Sequence, residues 1–164
     1  MDQVDLARSL NEQLSRTSYE WANSPLWGEG SERLHRLLSQ IIALIGSEEV
    51  VYAASEITIR DSALDHSYWV VLMTAQDVLH AKGIGRDPWA VVTMQARSNL
   101  SKLEIHSAPI ISTTSIELRD TGKTVLTLHY GAESITLPGG QSSSGNHTLS
   151  ALIPTLVRDL HQAA

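Results

Sequence analysis

The chain contains no cysteine. That absence removes a disulfide framework, a thiol nucleophile and a thiolate zinc site from the chemistry open to it. Cations are sparse too. Of twelve basic residues three are lysines, Lys82, Lys102 and Lys123, and no Lys/Arg run exists. With eighteen acidic residues the formal net charge is -6. A nucleic-acid surface or a polybasic membrane anchor needs clustered cations, so neither is expected. Long apolar runs are also missing: the longest strongly apolar patch, Ile41 to Ile45, is far too short to span a bilayer. Met1 leads into Asp2, Gln3 and Asp5, the wrong charge for a signal peptide. These absences together predict a soluble, cytoplasmic protein.

What is present suits a folded domain. The chain has 164 residues, 42% of them hydrophobic, enough for one domain with a real core and an appendage. Gln3 to Arg16 reads as a helix with Val4, Leu6, Leu10 and Leu14 near one side, a face too thin to stand without a partner. Thr17 to Gly30 is a break that carries Trp21 and Trp27, which either pack back on the domain or contact a partner. Ser31 caps a second helix that ends at Gly46, the expected left-handed stop. Its stripe of Leu34, Leu37, Leu38, Ile41, Ile42 and Ile45, widened by Leu44, must bury a face on the domain or on another copy.

From Val50 the period changes to two. Val50 to Ile59, Tyr68 to Met73, Asp77 to Lys82 and Trp89 to Ala96 read as strands, followed by the alternating segments around Leu103, Ile116, Leu126 and Ile135. Thr74-Ala75-Gln76 and Gly131-Ala132 are tight returns, and Asp120-Thr121-Gly122-Lys123 is a further turn. The last element runs from His147 to Gln162. Its Leu149, Leu152, Ile153, Leu156, Val157 and Leu160 trace one helical face, with Asn146 as N-cap and Pro154 as its irregularity.

This order resembles a pleckstrin-homology-like domain, particularly its bacterial and GRAM-like branch. The resemblance is carried by the pattern from Tyr68 to Leu79, by Val91 to Met94 with Leu100 to Ile105, and by Ile116 to Leu118 with Thr124 to Leu128. It covers about two thirds of the chain and contains no diagnostic motif. It implies an α+β fold, an antiparallel seven- to eight-stranded barrel over residues 47–164 closed by the C-terminal amphipathic helix. Residues 1–46, two helices, would precede it as an extension. It also implies a binding module for phosphoinositides, peptides or protein surfaces. A phosphoinositide headgroup needs basic side chains in the first strand-strand loop, where this chain has Arg60 against Asp61 and Asp65, so a protein partner is the expectation.

No catalytic set stands out. Asp65-His66-Ser67 are sequence neighbours, which point apart, whereas a triad converges from separated places. Gly140 and Gly145 match a phosphate-loop spacing, but Asn146 and His147 stand where Lys and Ser/Thr are needed, so a connector is expected. Among the seven histidines no pair has metal-site helical spacing, although His80, His106 and His129 lie on separate strands that can converge. No cofactor or metal is expected. Candidate partner-binding residues are Trp21, Trp27, Arg60, Lys82 and Arg86. Trp69 and Trp89 belong in the core by default, or to a partner contact if either faces outward.

The expected function is non-enzymatic binding of a protein, with self-association through residues 1–46. The alternative is a lipocalin-like or cone-shaped barrel that binds or transforms a small apolar molecule in a cavity lined by Trp69, Met73, Trp89 and Met94. A small inhibitor that covers another protein is a third class, compatible with composition alone.

Overall fold

The computed structural model describes residues 3–24, 27–28, 31–59, 66–84, 87, 89–107, 124–137 and 146–162. The chain divides into two compact units, Met1–Ala96 and Arg97–Ala164, each with its own antiparallel sheet.

The first unit holds α1 (Gln3–Thr17), α2 (Tyr19–Ala22), α3 (Ser31–Ile45), β1 (Tyr52–Ile59), β2 (His66–Met73), β3 (Asp77–Ile84) and β4 (Val91–Ala96). α2 falls inside the expected break because the Ser18 hydroxyl accepts the Trp21 amide at 3.1 Å and starts a helical turn. α3 buries the whole of its predicted stripe, while Leu44 lies outside it. Gly46 ends it at φ 57°, its amide donating to the Ile42 carbonyl at 2.9 Å.

The strands meander in the order β1-β2-β3-β4. Register fixes two faces. One carries Ala53, Leu72 and Leu79 in one row and Ser55, Val70, Ala81 and Val92 in the next. Its apolar residues form a single core with Leu10, Leu14, Trp21 and the α3 stripe. The helices are therefore part of this unit's core, and a boundary at residue 46 would cut through it.

The second unit begins with a 3-10 turn, Arg97–Asn99, followed by β5 (Lys102–Ser107), β6 (Val125–Tyr130), β7 (Glu133–Leu137) and α4 (Asn146–Gln162). Gly131, φ 61°, takes the first central position of the β6-β7 turn, where a left-handed residue matches the strand twist. Leu126, Leu128 and Tyr130 bury one face, and α4 contributes Leu149 and Leu156. Among the described residues the seven strands make two sheets, of four and three strands, and no closed barrel. The meander is interrupted after β4, where Arg97–Asn99 coils in place of a hairpin. The expected strand at Ile116 to Arg119 lies outside the described residues.

Candidate recognition surface

The second face of the four-stranded sheet changes character along the strands. Its first rows are Tyr52, Met73, Val78 and Gln95, then Ala54, Val71, His80 and Thr93. Tyr52, Met73, Val71 and Val78 there are buried. The next row is Glu56, Trp69, Lys82 and Val91, and beyond it lies Ile84. Here burial fails: Val91 is 70% and Ile84 72% exposed. Trp69 lies half-buried between two charges, its indole N–H donating to Glu56 Oε2 at 2.9 Å with Lys82 directly opposite on β3. Period two explains the row, since Trp69, Val71 and Met73 share a face.

Two residues before β4, Trp89 is 59% exposed and carries the Arg36 guanidinium 5.3 Å from its ring centre. Arg36 also pairs with Glu32 at 3.1 Å. β4 is an edge strand in this sheet, and Val91 to Ala96 carries no charge. Neither charge nor proline, two guards against pairing with another chain, occurs along this edge.

The expected site residues scatter. Trp21 is fully buried, its indole N–H donating to Asn11 Oδ1 at 2.9 Å, so it offers a partner no surface. Trp27 is half-buried, edge-on to Trp21 at 5.6 Å, with its N–H on the Trp21 carbonyl at 2.7 Å. The two tryptophans thus pack back on the core. Lys82 is exposed in the row just described. Arg60 and Arg86 lie outside the described residues, as do Asp61 and Asp65. Trp89 is not the core residue that its neighbourhood suggested: it precedes β4 by two residues, in alternation with Val91, whose face is uncovered too. Sequence reading missed Glu56, Ile84 and Val91. Val91 was legible as a member of an alternating strand, but its face was not.

The second unit carries a polar array on one face of its sheet. His129 Nε2 donates to Glu104 Oε2 at 3.1 Å, Lys102 pairs with Glu104 Oε1, and Thr127 Oγ1 lies 2.9 Å from His106 Nε2 and 3.0 Å from Thr136 Oγ1. The bonds from Lys102 and His129 pull the Glu104 carboxyl down to about 2. His106 and His129 thus converge, as their separate strands allow, while His80 belongs to the other unit. A hydrolytic relay needs the acid and the nucleophile on opposite imidazole nitrogens. Here Thr127 Oγ1 and Glu104 Oε2, the latter at 3.9 Å, approach the same nitrogen of His106. The array is a hydrogen-bonded surface ladder.

His66 and Ser67 take opposite faces of β2, His66 buried with its Nε2 3.4 Å from Arg33. Among the described residues no three His, Asp or Glu side chains are arranged to hold a metal ion. Among them, too, no helix is long and apolar enough to cross a membrane. The phosphate-loop spacing at Gly140 and Gly145 lies outside the described residues.

No protein-family model and no curated protein matches the chain. Among solved structures it is similar to the hSac2 domain from human phosphoinositide phosphatase Sac2, with a TM-score of 0.43 and 18% identity over 80% of this chain and 82% of that one.

Proposed function

We propose that the chain is a non-enzymatic, pleckstrin-homology-like module of the cytoplasm that recognises a protein through the exposed end of its four-stranded sheet. The observation that carries the reading is the cluster of Ile84, Trp89 and Val91, more than half exposed each, around one uncharged edge strand. Single exposed apolar residues are ordinary, whereas several grouped beside a half-buried tryptophan and an exposed lysine have the make-up of an interface core with a polar rim. The chain order of a four-strand meander, a three-strand meander and a final helix supports the family reading. The α3 stripe, which motivates self-association through residues 1–46, is buried inside the core. Recognition is therefore assigned to the sheet.

The small-ligand alternative needs Trp69, Met73, Trp89 and Met94 around one cavity. Register puts Met94 in the row of Leu72 and Leu79, on the opposite face from Trp69 and Met73. Those four side chains do not share a lining.

The test compares proteins co-purified with the full chain, with Ile84→Glu/Val91→Glu, and with the exposed control Ser98→Glu, quantified by mass spectrometry. Specific partners are expected to fall about tenfold with the double variant only. Equal recovery by all three would remove the reading. Vesicles with phosphoinositide lipids are expected to leave the full chain in solution.

A further inference from the structure

A separate feature of the first unit lies between α1 and the end of α3. A cavity of about 480 Å³ opens there, with Leu10, Ile42 and Ile45 at its base and Leu6 and Val50 beside them. Its volume falls in the range of ligand sites, roughly 300–1,000 Å³. The rim is acidic on the wall that leads to β1. Glu12 stands on the α1 side, and Glu48 and Glu49 stand on the turn that leads to β1. All three are exposed; among the described residues Arg16 is the cation on the rim, and at 3.8 Å it offsets the charge of Glu12, which leaves Glu48 and Glu49 as the acidic pair. Gln13 braces the gap by donating to the Val50 carbonyl at 3.0 Å, which ties α1 to the segment entering β1. The cavity is thus bounded by the unit's own packing.

We infer that this acid-rimmed groove is a docking site for a basic amphipathic peptide segment, one that lays aliphatic side chains on Leu10, Ile42 and Ile45 and sets Lys or Arg against Glu48 and Glu49. Charge complementarity selects the occupant. An anionic membrane surface is repelled by this rim, and a second copy of the chain, at net charge -6 and without a basic run, has no such segment to offer. Carboxylates along one wall beside an apolar base suit an amphipathic segment with cations along one border of its apolar face, a form of helix-in-groove recognition. The site is independent of the sheet face proposed above.

The test uses two fluorescein-labelled helical peptides with the same leucines at i, i+4 spacing, one flanked by lysines and one by glutamates. Binding to the full-length chain is read by fluorescence anisotropy, and circular dichroism confirms that each variant is folded. The lysine peptide is expected to bind and the glutamate peptide to fail. Glu48→Lys/Glu49→Lys should weaken binding about tenfold or more. Ser9→Trp, which fills the mouth without changing charge, should weaken it comparably. Ile84→Glu/Val91→Glu should not weaken it, which separates this site from the sheet. Unchanged binding to Ser9→Trp would mean that the peptide only adheres to an acidic surface, and the inference would fall. No binding of the lysine peptide, or equal binding of both peptides, would overturn it as well.

Discussion

Gly83 is a position where one atom decides. It lies directly opposite Tyr68 on the neighbouring strand, and a β-carbon placed there would run into the Tyr68 ring. That ring has little freedom, being buried and stacked on His66 at 5.9 Å with planes 11° apart. We expect Gly83→Ala to destabilise the protein by about 1–3 kcal/mol, read by urea unfolding, through overpacking. A neutral result would mean that the ring moves freely. Glu104 offers a test of another kind. Its folded-state carboxyl lies well below the ordinary value of 4.5, so the unfolded chain takes up its proton first as pH falls. Its stabilising effect is therefore complete above about pH 4.5 and vanishes as pH drops through about 2. Glu104→Gln should lower stability at neutral pH and leave it unchanged below about pH 2, with the wild-type difference reduced by salt. A carboxyl titration with an ordinary glutamate midpoint would refute the assignment.

At the scale of elements, α4 is held by two kinds of contact. Leu149 and Leu156 supply the apolar part and are fully buried, while Val157 on the same predicted face is 38% exposed. The polar part is the Arg97 guanidinium, whose Nε and Nη2 both donate to Asp159 Oδ2, at 2.9 and 2.7 Å. This pair fastens α4 to the 3-10 turn that opens the unit, and the arginine side chain is 5% exposed. Removing one partner strands a buried charge, so Asp159→Ala should cost about 3 kcal/mol in chemical denaturation. Arg97→Met/Asp159→Leu should cost less, because neither charge is left behind. Pro154 lies inside α4 and lacks the amide that the helix ladder uses at that turn. Pro154→Ala should stabilise the helix by up to about 3 kcal/mol, visible as a raised Tm.

At the scale of the whole molecule, each unit has its own buried apolar set, and the surface between function and stability is the open sheet end. Ile84 and Val91 contribute little to the core from positions 72% and 70% exposed. The double variant Ile84→Glu/Val91→Glu should therefore stay within about 0.5 kcal/mol of the parent in unfolding. Its solubility should rise, since an apolar patch beside an uncharged edge is removed. A large loss of stability would show that those residues are packed.

Local pattern was enough for the elements. The spacing of Leu34 to Ile45 determined a helix and Gly46 its end, as did the alternation of Leu126, Leu128 and Tyr130 for a strand, because periodicity and backbone permissiveness act within a few residues. The Ser18 hydroxyl that starts α2 was a weaker local signal of the same kind. Pairing was different. Whether the α3 stripe met the sheet or another chain, and which tryptophan stayed outside, depended on residues far apart in sequence. Trp21 is buried because Asn11 and the α3 face come to it, and Trp89 is exposed because it lies at the uncovered end of the sheet with Val91 and Ile84. The row of Glu56, Trp69, Lys82 and Val91 exists only through the register of four strands. Sequence alone determined which residues alternate; the tertiary structure decided which face was covered, because burial is a property of what packs across from a residue and not of the residue itself.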